Sequence, residues 1–425
     1  MHKAAIVVIF FFSITNIWAQ VKISEKDSSR VEQDSIRKAE FIGNLGNGFF
    51  PFRYFNLDLK YLIKYNQYEG VRTGLGGETN DNFSEKFRLN SYLVYGFRDD
   101  RFKYSIGGGI RLYKPSNIWL NLSYTDDLQE TGSSTFLTDK RFFSFFEPRL
   151  LNINLFHRHI TKAMSLEYIL TPHLLSESQF ALSNIDPTYD YSFFVNGVNY
   201  NSFTISQSKI SLQWSPFSKF NFKDDVVTLL RDGYPKFTLQ YSKSFEGVFN
   251  GDFNFSKLDF RTVHQLNYSE QHFTSFTMVA GIAMGETPLT HLYHAYPNNI
   301  NKQTIMNRFS VAGLNSFETM FFNEFFSDRF STLQVKHFFK PFEFTDRFKP
   351  QLVLISRHAL GNMKNIDRHQ NINFNTLNQL YSEAGFEINK LVFGFGLSFA
   401  YRYGSYHLPV FEDNVAFKFT FNLSI

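Results

Sequence analysis

From about Asn44 onward the chain alternates apolar and polar residues in short stretches, separated by Asn, Asp, Gly, Ser and Pro. Phe87, Leu89, Leu93, Tyr95 and Phe97 share one parity, while Arg88, Asn90 and Gly96 take the other. The polar run Arg98-Asp99-Asp100-Arg101 reads as a turn. Phe102, Tyr104, Ile106, Ile110 and Leu112 then share a face opposite Lys103, Ser105, Gly107, Gly109 and Arg111. Ile118, Leu120, Leu122 and Tyr124 oppose Trp119, Asn121, Ser123 and Thr125 in the same way. Successive side chains of a strand point to opposite faces, so a period of two predicts strands that are apolar on one side.

The end of the chain carries the strongest alternation. Leu391, Phe393, Phe395, Leu397, Phe399, Tyr401 and Tyr403 line up as one strand face, against Val392, Gly394, Gly396, Ser398, Ala400 and Arg402. A turn through Gly404 to Asp413 follows. Val415, Phe417, Phe419, Phe421, Leu423 and Ile425 then alternate with Ala416, Lys418, Thr420, Asn422 and Ser424. A face this apolar must be buried in a core or in lipid. A soluble β-sandwich would use it as core. Repetition in segments of about ten residues favours an all-β transmembrane antiparallel β-barrel of about sixteen strands, between fourteen and eighteen. Residues 127–146, 174–200 and 286–307 lack clear alternation and read as long connections. Tyr191 to Phe203 reads as an extra hairpin around Asn196-Gly197.

Composition agrees with a barrel. The chain holds 54 Phe and 22 Tyr, while charged residues make up 19%. Aromatics cover the lipid face and form interfacial girdles. The mean hydropathy of −0.25 follows, because polar lumen positions offset lipid-facing ones. A net charge of +4 with no basic block gives no reason to expect nucleic acid. The absence of cysteine excludes disulfide and thiol chemistry.

Met1, His2 and Lys3 precede the apolar run Ala4 to Phe12, and Ala19 precedes Gln20 at a plausible cleavage site. Residues 1–19 therefore read as a secretory signal peptide. Residues 20–45 are polar and charged and read as a flexible segment. Residues 46–425 form the expected barrel. No later apolar run reaches the length of a spanning helix.

Seven segments stand out in order along the chain: YNQYEGVRTGLGGETN (65–80), LVYGFRDDRFKYSIGGG (93–109), LSYTDDLQETG (122–132), YPKFTLQYSKSFEGVFNGDFNFSKL (234–258), NEFFSDRF (323–330), YSEAGFEIN (381–389) and YRYGSYHLPVFEDN (401–414). In these segments the chain resembles a Bacteroidota outer-membrane family of unknown function. Longer members of that family carry an N-terminal carboxypeptidase-regulatory-like domain. Its barrel is similar to the outer-membrane assembly and surface-antigen superfamily, whose Val-Arg-Gly-Tyr-type lumen-loop motif has no match in this sequence. The resemblance implies a Gram-negative outer-membrane location and a role in envelope biogenesis or transport. Outer-membrane lipid, the barrel-insertion machinery and a periplasmic protein would be the partners.

Candidate chemistry is sparse. His157 and His159 would share a strand face and could share a metal, but an interfacial pair near a turn is the simpler reading. His291 and His294 could likewise ligate, but read as residues of a solvated loop. Asp99-Asp100 and Asp126-Asp127 are adjacent, so on a strand they point apart and read as turn residues rather than an acid–base couple. Lys103, Arg111, Arg402 and Lys418 would face the lumen and give it a partly basic wall. That favours either anion preference or ordinary solvation. Gly74 to Gly77 and Gly107 to Gly109 suit close strand approach. No catalytic residue, cofactor site or metal site is assigned. A passive pore, a structural barrel and a barrel-wall hydrolase with a Ser-His or Asp-His set are the alternatives.

Overall fold

A computed structural model of the protein describes residues 48–139, 149, 153, 155–223, 226–300, 310–345, 348–392 and 394–421. The chain divides into two compact units, Met1–Gly43 and Asn44–Ile425, and every described residue lies in the second. The expected signal segment, the polar segment after it, and Asn422 to Ile425 lie outside the described residues.

Nineteen strands join in one sheet. At one edge, β1 (Phe55–Asp58) and β2 (Ile63–Asn66) both pair with β3 (Gly70–Thr79) and act as one interrupted strand. The next strands are β4 (Phe87–Gly96), β5 (Arg101–Tyr113), β6 (Ile118–Glu130), β7 (Phe156–Thr171) and β8 (Leu174–Pro187). They are followed by β9 (Phe203–Trp214), β10 (Lys236–Ser244), β11 (Phe255–Ser269) and β12 (His272–Gly285). The series closes with β13 (Arg329–Phe338), β14 (Gln351–Asn362), β15 (Tyr381–Val392), β16 (Phe395–Gly404) and β17 (Val415–Phe421). From β3 on, each strand pairs antiparallel with the next, which gives sixteen ladder positions with the broken first one. The all-β antiparallel architecture is as expected.

The two ends of the ladder do not pair with each other among the described residues. Phe49–Pro51 covers β1, and Ser310–Val311 runs parallel to Lys418 and Phe419 of β17.

Parity assigns the faces correctly. Phe87, Leu89, Leu93, Phe102, Ile106, Ile110 and Leu122 are exposed, whereas Val94, Lys103 and Trp119 are buried inward. Two strand readings change. The run from Leu391 to Tyr403 is two strands rather than one. The chain reverses between Val392 and Phe395, which sit opposite each other, with Gly394 at φ 81. The alternation passes through a two-residue turn unbroken, so period alone could not reveal it. Residues 174–187 are strand β8, not a connection. Its outer face carries Ser178, Asn184 and Asp186 beside Phe180 and Leu182, so polarity does not alternate there. The hairpin at Asn196-Gly197 is present, both residues having positive φ as the turn requires.

Loops are unequal at the two ends of the strands. At one end, residues 172–173 and 270–271 and the reversal between Val392 and Phe395 are short turns, residues 215–235 being a long exception, whereas the connections after β6, β8, β12 and β14 at the other end are all long.

Candidate functional site

Of the segment between β12 and β13, residues 286–300 and 310–328 enter the space enclosed by the sheet. Its apolar residues explain why. Leu289, Leu292, Tyr293, Phe317, Met320, Phe325 and Phe326 are each 2% exposed or less. They join Phe193, Phe253 and Phe255 in one core cluster. Each fully buried large apolar side chain contributes about 1.5–3 kcal/mol, so a solvated loop with this content would be strongly disfavoured. Gly281 of β12 makes room at one contact. A Cβ there would lie 2.5 Å from the Tyr293 ring. Residues 131–139 line the same interior. Leu137 N donates to Gln240 Oε1 at 2.9 Å, and Tyr296 Oη donates to the Ser134 carbonyl at 3.0 Å.

Polar contacts fasten this inserted loop to the wall. Glu383 of β15 is 0% exposed. It accepts from Arg357 Nη1 at 2.5 Å, from the amides of Glu318 at 3.1 Å and Thr319 at 2.7 Å, and from the Thr319 hydroxyl at 2.6 Å. Lys418 of β17 pairs with Glu318 at 3.0 Å and donates to the Asn298 carbonyl. Arg402 of β16 holds Glu324 through two bonds of 2.7 and 3.1 Å and stacks over Tyr381 at 4.8 Å. Burial opposes the charged form of Glu318, but Lys418 and Arg357 outweigh it and hold that carboxyl below its usual range. At Glu324 burial prevails over Arg402 and raises the carboxyl. Breaking a buried pair by removing one partner costs about 3–5 kcal/mol. The network therefore acts as a latch on the loop.

Lys103, Arg402 and Lys418 do face inward, as parity predicted, but they are ion-paired and buried rather than solvated. Lys103 pairs with Glu69 at 2.7 Å and Asp99 at 2.5 Å. Arg111 stacks over Trp119 at 4.7 Å. Asp126 and Asp127 point to opposite faces. Asp126 holds Arg158 on the outer side, while Asp127 accepts from Arg72 at 2.7 Å and from Tyr92 at 2.6 Å on the inner side. Asp100 accepts from Tyr95 in the turn before β5.

The histidine readings change most. His157 is 1% exposed and lies inside the sheet beside Thr131, not at an interface. His159 faces inward too, bonded to Thr161. His291 and His294 are not in a solvated loop. Burial drives both imidazoles below their ordinary range. His294 Nδ1 accepts from the Tyr296 amide at 3.0 Å, and its Nε2 lies 2.9 Å from Glu130. His291 instead joins the neighbourhood of His157 and His159. The sequence could not foresee this, because nothing in its spacing says that the stretch around His291 and His294 folds inward. Among the described residues no set of three side chains could hold a metal ion.

A Ser-His set does exist. Ser356 Oγ lies 3.0 Å from His358 Nε2, and His358 Nδ1 lies 3.0 Å from Ser382 Oγ. All three face outward from strands paired on both sides. Both imidazole nitrogens are engaged by hydroxyls and the ladder uses the neighbouring amides. The set therefore has neither an orienting carboxylate nor oxyanion donors. It satisfies a polar group on an apolar face.

The residues missed from sequence are Glu318, Glu324, Arg357 and Glu383. Strand pairing puts Arg357 and Glu383 on the inner face, and no pattern in the sequence marked them or their partners in the loop.

The model of the DUF5686 C-terminal domain, a family of unknown function, matches residues 52–342. The chain belongs to this family. Among solved structures, it is similar to BamA from Haemophilus ducreyi lacking POTRA domains 1-3. That match has 10% identity and a TM-score of 0.50, covering 84% of this chain and 68% of that one. CdiB from Escherichia coli matches at 9% identity and a TM-score of 0.46, over 87% of this chain and 62% of that one. The siderophore receptor PirA from Pseudomonas aeruginosa matches at 9% identity and a TM-score of 0.37, over 82% of this chain and 65% of its own. The BamA likeness establishes an outer-membrane-type barrel fold for this family member. No curated protein matches the chain.

Proposed function

We propose that this chain is a gated outer-membrane barrel, closed at rest by the inserted residues 286–300 and 310–328 and opened when this loop leaves its latch. The observation that carries the reading is the loop itself, with Glu383 receiving two of its backbone amides and one hydroxyl. A passive open pore would not fill its interior with an apolar core. The outward rows of exposed Phe, Leu and Ile support a lipid environment. A Gram-negative outer membrane, with the long loops outside and the short turns in the periplasm, fits the inequality of the two ends. A Bacteroidota source, an N-terminal signal peptide and insertion by the barrel-insertion machinery complete the reading.

The test is conductance in planar bilayers. The purified protein should be silent or open rarely, and a variant with residues 288–326 replaced by a short Gly/Ser linker should conduct steadily. Steady conductance of the intact protein overturns the reading.

A role in outer-membrane biogenesis, handing substrate across with a periplasmic partner, is the second reading. The fold likeness at a TM-score of 0.50 to the BamA barrel favours it. Depletion in the native host should then change the protein content of the outer membrane, and an unchanged envelope counts against it.

A further inference from the structure

We infer that the inner face carries a site for a phosphate-type oxyanion, built from Lys209 and Lys257 of the wall and His291 of the inserted loop. Strand register brings the two lysines together. Lys209 of β9 lies opposite Ser242 of β10, and Ser242 lies opposite Lys257 of β11. The lysines are thus two strands apart, about 10 Å between backbones, within reach of a common point for two long side chains. Both face inward, since their neighbours Ile210 and Leu258 are exposed on the outer side.

The loop completes the site. The Lys257 ammonium sits over the Tyr293 ring at 4.3 Å. The His291 ring lies 5.6 Å from the ring of Phe255, two residues before Lys257 on β11. Thr290 Oγ1 lies 2.9 Å from His291 Nδ1, which leaves Nε2 to face a ligand. His157 and His159 also stand near His291. Lys209 and His291 are surrounded by protein, yet each keeps accessible surface, as groups bordering an internal space do.

Charge selects the ligand. Among the described residues one carboxylate, Asp259, acts on both lysines, and it already accepts the Tyr293 hydroxyl at 2.6 Å. No ion pair joins Lys209 or Lys257 to an acid among the described residues. Asp126 and Asp127, the acids nearest His159, are occupied by Arg158 and Arg72. Burying an ammonium without a counter-ion is strongly unfavourable. An anion removes that cost. Donors converging from two strands and a loop suit a tetrahedral oxyanion, which offers acceptors in several directions, better than a planar carboxylate. The inference goes beyond the gated-barrel reading and stands even if the loop never opens.

The test is calorimetric titration of the detergent-solubilised full chain. One arm uses inorganic phosphate, and the other short-chain phosphatidic acid, to separate a free ion from a lipid headgroup. Saturable binding is expected in at least one arm. Lys209→Gln and Lys257→Gln should each weaken it by about tenfold, and the double variant should abolish it. Lys162→Gln, on the outer face, should leave binding unchanged. Heat-dependent gel mobility checks that each variant is folded, and the single variants decide the matter if the double does not fold. No binding of either probe, or equal binding by the wild type and both single variants, overturns the site.

Discussion

Leu333 and Gln334 are neighbours on β13 and live under different rules. Leu333 is 40% exposed on the outer face, whereas Gln334 is 8% exposed and its side-chain amide donates to the Leu314 carbonyl of the inserted loop at 3.3 Å. The outer face asks only for an apolar side chain, so many residues satisfy it and single changes are cheap unless they add charge. The inner face asks for a particular partner, so each residue there is specified by something far away in sequence. The wall is therefore built from local pattern, while the latch is built from long-range pairing.

Removing the wall carboxylate should break the latch most severely. Glu383→Ala leaves Arg357 buried without its partner and frees the Glu318 and Thr319 amides. A loss of about 3–5 kcal/mol in unfolding free energy is expected, together with new channel openings in planar bilayers. Silent bilayers and an unchanged denaturation midpoint would show that Glu383 does not hold the loop.

The outer face should respond to charge alone. Leu333→Arg should destabilise the protein by about 2–4 kcal/mol in lipid vesicles if β13 faces the bilayer near its middle. Leu333→Ile should change little. Equal tolerance of both substitutions in a refolding titration would remove the lipid assignment of that face.

Gly281 sharpens the contrast, because it looks like a wall residue but serves the loop. Gly281→Ala forces the Tyr293 ring away and weakens its bond to Asp259. A cost of about 1–3 kcal/mol is expected. Adding Tyr293→Phe should cost less in the Gly281→Ala background than alone, since the bond is already lost. Additive effects in this double-mutant cycle would mean that the two residues do not meet.

The same contrast explains what could be read from the sequence. Outer positions such as Phe102, Ile106 and Leu122 are set by a period of two, which is visible in any strand. Inward charges such as Lys103, Arg402 and Lys418 were visible by the same rule, but not their pairing. Glu318 and Glu324 sit in a segment whose Phe-rich composition resembles strand and loop alike. Only the packing of Phe317, Met320, Phe325 and Phe326 against the wall reveals that this segment lies inside. For that reason the sequence puts His291 and His294 in a solvated loop, where they are not. A histidine's surroundings depend on which way its loop folds, and local residues did not decide it. Strand β8 was lost because its outer face holds serine, asparagine and aspartate near the rim, where water rather than lipid sets the pattern.

The smallest expected effect is a dependence of loop release on pH, and its sign follows from the loop histidines. Burial holds His291 and His294 below the ordinary imidazole range while the loop is inserted. A released loop would let both titrate near the usual value of about 6.5. The inserted state therefore binds protons less readily than the released one. Its stabilisation is complete above that value and is lost as the pH falls through it. Glu318, held low by Lys418 and Arg357, acts in the same direction but only below the usual carboxylate value of about 4.3. Glu324, raised by burial, opposes both. Between pH 7 and pH 5 the imidazoles dominate. Hydrogen exchange of residues 286–299 should accelerate as the pH falls across that window, after correction for intrinsic exchange rates. His291→Asn with His294→Asn should flatten the dependence, because neither replacement titrates there. Slower corrected exchange at pH 5 than at pH 7 would mean that acid tightens the loop, and that the carboxyl of Glu324 outweighs the two imidazoles.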